Sequence, residues 1–244
     1  MKVLSIVQPA YLPWLGYFER LHLSSEHVVL DHVEIDLNSK TKFANRNRIR
    51  TAEGWCWLTV PLATKHRRGS LHLDHLAIAE DPRWRRKHAA AIRANYAKAA
   101  HFNDHWPFFE NLFARDWTRL VDLCGAATGY LARALGVTTP TLRSSEMDVA
   151  GSKDDLILNI CKARAADVYL SGPFGRDYLD LDAFAAAGIE VRFHDYLHPT
   201  YRQAFDGFEP YMSVVDLLFN HGPASLDLLS TATVPGSHAH AASH

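Results

Sequence analysis

The strongest constraint on the fold is a regular alternation of helix and strand in the last third of the chain. The residue pattern predicts a helix over Ser152–Ala165, a strand over Val168–Ser171, a helix over Asp180–Ala187 and a strand over Ile189–His194. Strands that are joined through helices pair in parallel. The sequence therefore predicts an α/β fold, with a mainly parallel sheet and flanking helices.

The rest of the chain contributes further strands and a helical segment. Strands are predicted at Lys2–Val7, His27–Leu30, Trp57–Pro61 and, half-exposed, Leu71–Ile78. Helices are predicted from Asp81-Pro82 to Tyr96, from Pro107 to about Leu135 with Gly125 and Gly129 as candidate breaks, and over Tyr211–Phe219. We expect one large domain over residues 1–229, with a helical insertion at about 81–136. A small, polar, disordered tail follows over 230–244.

Composition excludes several function classes. The formal net charge of −1 provides no field that would attract nucleic acid. No apolar run approaches the roughly 20 residues that span a bilayer. Gln8, Pro9, Pro13 and Gly16 interrupt the only candidate secretion signal, so a cytoplasmic location is expected. Three widely spaced cysteines without a CxxC pair indicate neither a disulfide framework nor a thiolate metal site.

The loop after the first strand, Gln8–Tyr17, is the first candidate site. Ligands of open α/β sheets bind at the carboxyl ends of strands, and Pro9 and Pro13 make this loop rigid. Its candidate ligand-binding side chains are Gln8, Tyr11, Trp14 and Tyr17. The aromatic rings could stack on a base or a sugar, or they could close the end of the core, and the residues alone leave both interpretations open.

Two arginines alternate with two asparagines over Asn45–Arg48. In an extended segment Asn45 and Asn47 share one face, and Arg46 and Arg48 share the other. Paired guanidinium groups suit a phosphate or a carboxylate, which each can hold through two hydrogen bonds. A solvated basic loop is the alternative interpretation.

The stretch Ser171–Tyr178 lies between a predicted strand and a predicted helix. Backbone amides in such a turn form an anion site, Gly172 and Gly175 allow close approach, and Arg176 adds charge. The pattern is weaker than a P-loop, because it lacks the Gly-Lys-Ser/Thr element and Pro173 removes one amide.

Histidines cluster just after the last predicted strand. His194, Asp195 and His198 could hold a metal or act as acid and base near neutral pH. Pro199 breaks the helical spacing that a metal pair would use, so no metal is predicted. The preferred interpretation is a single general base, His198.

Five stretches of the chain together resemble the WbqC-like family over about residues 3–222. They are QPAYLPWLGYF, NRNRI, WLTVP, ICK…YLSGPFGRDY and HPTYRQ…PYMSVVDLLFN. The resemblance implies a role at bacterial surface-polysaccharide loci, such as those for O-antigen. It also implies a set of site positions: Gln8, Pro9, Tyr11, Pro13, Trp14, Gly16, Tyr17, Asn45, Arg46, Asn47, Arg48, Ser171, Gly172, Gly175, Arg176, Asp177, Tyr178, His198, Tyr201, Tyr211, Met212, Ser213, Asp216 and Asn220.

The chain departs from family patterns at several positions. Val7 stands where family members often have a histidine before Gln-Pro, and this departure gives His198 more weight as a base. Phe174 is larger than the residue expected in its loop. The first loop is also weakly similar to HxGH-type nucleotidyltransferases, but Trp14 and Tyr17 replace the two histidines that would stabilise phosphate charge.

The sequence thus predicts a transferase acting on an activated sugar or related amine by acyl or aminoacyl transfer. The arginines at 46, 48 and 176 would hold phosphate or carboxylate, His198 would be the base, and Asp177 or Asp216 would orient a partner. The alternatives are a non-catalytic nucleotide-sugar-binding protein of a biosynthetic complex, and a nucleotide-dependent ligase or nucleotidyltransferase-like enzyme. The expected partner is a small molecule that can carry phosphate, not nucleic acid or a membrane. The sequence does not specify a cofactor.

Overall fold

A computed structural model describes residues 1–34, 44–64 and 71–230. The strands in these ranges are β1 (Val3–Val7), β2 (Glu26–Val29), β3 (Arg46–Thr51), β4 (Gly54–Thr59), β5 (Thr141–Arg143), β6 (Val168–Ser171) and β7 (Glu190–Phe193). The α-helices are α1 (Leu15–His22), α2 (Arg83–Tyr96), α3 (Phe102–Ala114), α4 (Leu120–Leu135), α5 (Lys153–Ala163), α6 (Leu181–Ala186), α7 (Val214–His221) and α8 (Ser225–Ser230). None of these helices combines the length and apolar character needed to cross a bilayer.

Five parallel strands form the main sheet, in the order β5-β2-β1-β6-β7. The predicted α/β class and parallel pairing are confirmed. The chain first moves outward from β1 to β2 and β5, and α5 then returns it to the opposite side of β1. The strand order therefore reverses between β1 and β6. In doubly wound sheets the carboxyl ends of the two strands at this reversal border a crevice.

The sheet is covered on both faces. Leu4 and Ile6 of β1 pack with α5 and α6, for example against Ile160 and Phe184. The larger cluster joins α1 to α2, α3, α4 and α7, and Phe18 of α1 is fully buried within it. Burial of one such side chain stabilises the fold by roughly 1.5–3 kcal/mol. Helix α1 is therefore held tightly between the sheet and the helical segment.

The helical segment differs in detail from the prediction. Helix α2 begins at Arg83, one residue later than predicted, with Pro82 as its N-cap, and Oδ1 of Asp81 accepts the Arg83 N–H at 3.0 Å. The expected breaks at Gly125 and Gly129 are wrong, because both residues lie inside α4 and the chain turns between α3 and α4 instead. Gly136 ends α4 in the left-handed region, with a φ of 80°.

The predicted strand over Leu71–Ile78 is wrong. This segment forms a 3-10 turn at Leu73–His75, and Leu73, Leu76 and Ile78 all point into the core. Its backbone amides bond to separate segments, with Leu73 N–H on Val33 O and Ile78 N–H on Thr118 O, so no continuous ladder forms.

Four elements were not predicted, namely α1, β3, β5 and α8. Helix α1 begins inside the stretch that was interpreted as a loop through Tyr17. Apart from Ser230 at the end of α8, the predicted tail lies outside the described residues.

Candidate functional site

The strand order reverses between β1 and β6, and in doubly wound sheets the ligand-binding crevice lies at the carboxyl ends of these two strands. Gln8 follows β1 and is exposed, while Ser171, the last residue of β6, is buried and leads into Gly172. Helix α1 starts beyond the first loop and runs back along the sheet. Two of the predicted stretches, the first loop and Ser171–Tyr178, therefore meet here.

Arg20 of α1 is the unexpected component of this crevice. Its side chain is buried, with 8% of the residue exposed, and Nε is fully enclosed. Within the described residues the guanidinium makes no hydrogen bond or ion pair. Burial lowers the pKa of Arg20, and the nearby Tyr169, Tyr17 and Tyr178 oppose that shift. A buried cation without a counter-charge is costly, and an anion beside it would offset that cost.

Gly172 makes room for this guanidinium. A Cβ placed on Gly172 would lie 3.1 Å from Nη1 and 3.2 Å from Nη2 of Arg20, closer than ordinary van der Waals contact. The following 3-10 turn, Pro173–Asp177, is packed closely against β6, because a Cβ on Gly175 would collide with Oγ of Ser171 at 2.1 Å. The two glycines therefore bring the turn backbone close to both the cation and the strand end.

A buried acid–imidazole pair joins the same helix to the end of β7. Nε2 of His194, the residue after β7, donates to Oε2 of Glu19 at 2.6 Å, and both side chains are almost completely buried. The ring of Tyr196 stacks on His194 and approaches Gly16, where an added Cβ would lie 2.8 Å from it. Oε1 of Glu19 and the Tyr196 hydroxyl are both enclosed and have no partner among the described residues. Burial and the Glu19 charge raise the pKa of Tyr196.

Two of the predicted aromatic ligand-binding residues lie in the core. Tyr11 is fully buried, and its hydroxyl contacts Nδ1 of His88 at 2.9 Å. Tyr17 is 1% exposed, and its hydroxyl faces Nε2 of His27 at 3.3 Å. For Tyr11 the structure favours the core-closing interpretation. Tyr17 is buried from solvent but also lines a cavity at the carboxyl edge of the sheet. Trp14 is half-buried, and its ring meets that of Tyr17 edge-on.

The predicted arginine pair lies elsewhere, on the β3–β4 hairpin. Arg46 and Arg48 share the outer face, as the alternation predicted, and stack over Trp57 and Trp55 at 4.3 and 4.9 Å respectively. Both tryptophans are well exposed.

The asparagines of this motif serve the backbone. Nδ2 of Asn47 donates to the carbonyl of Leu12, a residue with a φ of 45°, and Nδ2 of Asn45 donates to the carbonyl of Val60. Asn47 therefore fixes the first loop on the hairpin.

Arg176 is already paired. Its guanidinium donates to both carboxylate oxygens of Asp195, at 2.9 and 2.7 Å, in an exposed position. It also lies over the ring of Phe193 at 4.4 Å. The neighbouring Asp177 and Tyr178 are exposed at the end of the turn. In this structure the cation beside Gly172 is Arg20 and not Arg176.

His198 uses both ring nitrogens on backbone groups. Nδ1 donates to the Pro199 carbonyl at 2.8 Å, and Nε2 accepts the Tyr211 N–H at 3.1 Å. Burial lowers the pKa of His198. Tyr211 is exposed and has a φ of 62°, so the imidazole holds a strained turn. This arrangement leaves no lone pair on His198 for a substrate proton.

Asp216 is fully buried among hydrogen-bond donors. Its carboxylate accepts from the hydroxyls of Tyr96 and Tyr201 and from Nε2 of Gln203, at 2.8 to 2.9 Å. Burial raises the pKa of Asp216, and these bonds oppose the shift. Ser213 caps α7 one turn earlier, with Oγ accepting the Val215 N–H at 3.3 Å. We therefore interpret Asp216, Tyr201 and Ser213 as groups that fix the segment before and within α7.

A cavity of about 520 Å³ lies farther along the carboxyl edge of the sheet. Its lining includes Pro9, Val29, Trp117 and Arg143, together with Gly125 of α4. It contains none of the charged groups of the crevice. Across the described ranges, no three His, Cys, Asp or Glu side chains are grouped as a metal site requires.

Comparison with known proteins identifies the family. A model of the WbqC-like protein family matches residues 8–228. The chain belongs to the WbqC-like family. It is also similar to the uncharacterized protein Rv1507c of Mycobacterium tuberculosis (strain ATCC 25618 / H37Rv). The two are 34% identical over 231 residues, which cover 94% of this WbqC-like chain and 98% of the relative. No solved structure matches the chain.

Sequence interpretation of this WbqC-like protein missed Glu19, Arg20 and Tyr196, and it weighed His194 without preferring it. One signal was available. Glu19 and Arg20 interrupt the otherwise apolar and aromatic run from Leu15 to Leu21. Once that run is recognised as a helix, two charged residues fall among its buried positions, which is typical of a functional group or a buried pair.

Proposed function

We propose that this WbqC-like protein is a transferase that binds an activated, phosphate-bearing sugar or related amine in the crevice between β1 and β6. The observation that carries the proposal is the buried guanidinium of Arg20, which has no counter-charge among the described residues and lies beside Gly172. The crevice is also where ligands of doubly wound sheets bind.

Phosphate fits this position for electrostatic and geometric reasons. A guanidinium offers parallel N–H donors that match two oxygens of a phosphate or a carboxylate. An anion bound there would neutralise the buried positive charge of Arg20. Because little water lies between the two charges, their attraction would be screened only weakly. The strand–turn–helix context after β6 supports an anion at the same place.

The family supports the sugar part of the proposal. The expected association of WbqC-like proteins with bacterial surface-polysaccharide biosynthesis, including that of O-antigen, makes an activated sugar a natural ligand. Binding without turnover is the second candidate function. It is favoured by the bonding of two of the three side chains predicted for catalysis, since His198 has both nitrogens occupied and Asp216 is enclosed.

Thermal unfolding with a panel of nucleotide sugars, nucleotides and inorganic pyrophosphate tests the proposal. A ligand at a hundredfold excess over its Kd stabilises the folded state by about 2.7 kcal/mol. We expect at least one phosphate-bearing compound to stabilise the wild type and to lose this effect in Arg20→Met. The matched control Arg176→Met should keep it.

Two outcomes contradict the proposal. One is the absence of stabilisation by every member of the panel. The other is stabilisation that survives in Arg20→Met but is lost in Arg46→Met or Arg48→Met, because that result would move the anion to the hairpin.

A further inference from the structure

We infer that His194, held by Glu19, is the general base of this site and deprotonates the hydroxyl group of an acceptor substrate. This inference rests on the proposed function, because it takes the phosphate-bearing donor to be bound at Arg20. It assigns proton transfer to His194 and Glu19, a role that is additional to their packing in the fold.

The geometry sets the tautomer of His194. Nε2 of His194 lies 2.6 Å from Oε2 of Glu19, and with Glu19 as a carboxylate, which can only accept, the imidazole hydrogen lies on Nε2. Nδ1 then carries the lone pair. It makes no hydrogen bond to a described residue, and 3% of the His194 side chain is exposed. His194 therefore presents a basic nitrogen whose orientation is fixed from behind by a carboxylate.

The charge of Glu19 suits the product of proton transfer. Its second oxygen, Oε1, is enclosed and accepts no hydrogen bond from a described residue, so His194 is the described side-chain partner of this carboxyl group. When Nδ1 takes a proton, the imidazolium that forms lies against this charge and is stabilised by it. In known hydrolases a buried carboxylate acts in this way on the histidine of the catalytic triad.

The arrangement indicates a hydroxyl group more than an amine, because a neutral amine is already nucleophilic and a hydroxyl requires a base. The acceptor O–H bond breaks, its proton moves to Nδ1, and its electron pair forms the bond to the transferred group. The bond between that group and the phosphate-bearing leaving group breaks. The leaving group keeps that electron pair and can take up the proton from Nδ1. No further reactant is needed.

His194 and His198 provide an internal contrast. They are four residues apart, but both nitrogens of His198 are bonded to the backbone, whereas among the described residues His194 has a partner at Nε2 alone. His22, at the exposed end of α1, provides a reference for an unrestricted imidazole.

Limited acylation by diethyl pyrocarbonate, mapped by peptide mass spectrometry, tests the inference on the folded full-length protein. The reagent acylates an unprotonated imidazole nitrogen. Because 3% of its side chain is exposed, we expect His194 to react more slowly than His22, and His198 to react more slowly than both. Glu19→Gln should slow His194 by about tenfold or more and leave His22 unchanged. Nitrogen-15 NMR should show Nδ1 of His194 unprotonated in the wild type and a mixture of the two tautomers in Glu19→Gln.

Inorganic pyrophosphate distinguishes failure of this inference from failure of the proposed function. It should protect His194 from acylation in the wild type but not in Arg20→Met. If His194 stays unmodified in the folded wild type, or if NMR places the hydrogen on Nδ1, the inference is overturned whatever pyrophosphate does. If His194 reacts as expected but pyrophosphate neither binds the protein nor protects His194, no phosphate site lies beside the base. The proposed function then fails, whereas the inference about His194 does not.

Discussion

Nε2 of His194 lies 2.6 Å from Oε2 of Glu19, and this bond joins the end of the last strand to the first helix across 175 residues of sequence. The next residue on that helix, Arg20, points beneath Gly172 instead. Helix α1 thus carries two neighbouring buried charged groups that face different parts of the chain. One is held by a protein partner, and the other has none among the described residues.

Replacing Asp216 should destabilise the fold without involving a ligand. Asp216→Asn places amide hydrogens against hydroxyl and amide donors that now bond to a carboxylate. We expect the free energy of unfolding in urea to fall by about 2–4 kcal/mol. Tyr201→Phe, which removes one of the three hydrogen bonds, should cost less. A wild-type midpoint for Asp216→Asn would contradict this interpretation.

Two buried histidines should make the protein acid-sensitive. Burial lowers the pKa of His27 to about 3 and that of His88 to about 4. In the unfolded chain each takes up a proton below about pH 6.5. Their neutral forms therefore stabilise the fold fully above pH 6.5, and this contribution is lost as the pH falls toward 3. Each histidine should remove about 1.4 kcal/mol per pH unit in this window.

Urea unfolding at several values between pH 7 and pH 4 measures that slope. His27→Gln should reduce the slope by the share of one histidine, and comparison with the wild type cancels the contributions of carboxylates. An identical slope in the two proteins would show that His27 is not held neutral.

Gly172→Ala should affect ligand binding more than stability. The added Cβ would crowd both terminal nitrogens of Arg20, which are the flexible end of a long side chain. We expect a stability loss below about 1 kcal/mol but a loss of pyrophosphate affinity of about tenfold, equivalent to 1.4 kcal/mol. Isothermal titration gives the affinity.

Gly125→Ala is the matched control for this substitution. Nothing lies within 4 Å of an added Cβ there, and alanine favours the helix by about 1 kcal/mol. Equal affinities for wild type and Gly172→Ala would remove Gly172 from the site.

The exposed pair between Arg176 and Asp195 should contribute little. Close to half of each side chain is accessible to solvent, so water screens the ion pair. A double-mutant cycle with Arg176→Met and Asp195→Asn should give a coupling below about 1 kcal/mol. A coupling of several kcal/mol would show that the pair holds the turn after β6 in place.

Much of the fold could be predicted from local patterns. The helix–strand alternation after Ser152 specified parallel pairing, and strand β6 was predicted with its observed bounds. Helix α1 was missed because Pro9 and Pro13 made its start look like a loop. The Leu71–Ile78 segment was misassigned. Its alternating apolar residues are buried as a strand would require, but its backbone amides bond to separate segments instead of one neighbouring strand.

The site was less predictable, because its groups come from distant parts of the chain. The turn after β6 was recognised from its glycines and its place between strand and helix. The partners of each side chain could not be read from one sequence. Arg176 is paired with Asp195, His198 with backbone groups and Asp216 with two tyrosines, whereas Arg20 lacks such a partner among the described residues. Only the tertiary structure shows that Arg176 has a carboxylate partner and that Arg20 has none among the described residues.

Crystals soaked in tungstate, a tetrahedral oxyanion that scatters X-rays anomalously, test the central claim most directly. We predict an anomalous peak in the crevice between β1 and β6, with oxyanion atoms about 2.7–3.2 Å from the guanidinium nitrogens of Arg20. The peak should be absent from Arg20→Met crystals. A peak beside Arg46 and Arg48 with none at Arg20 would contradict the account.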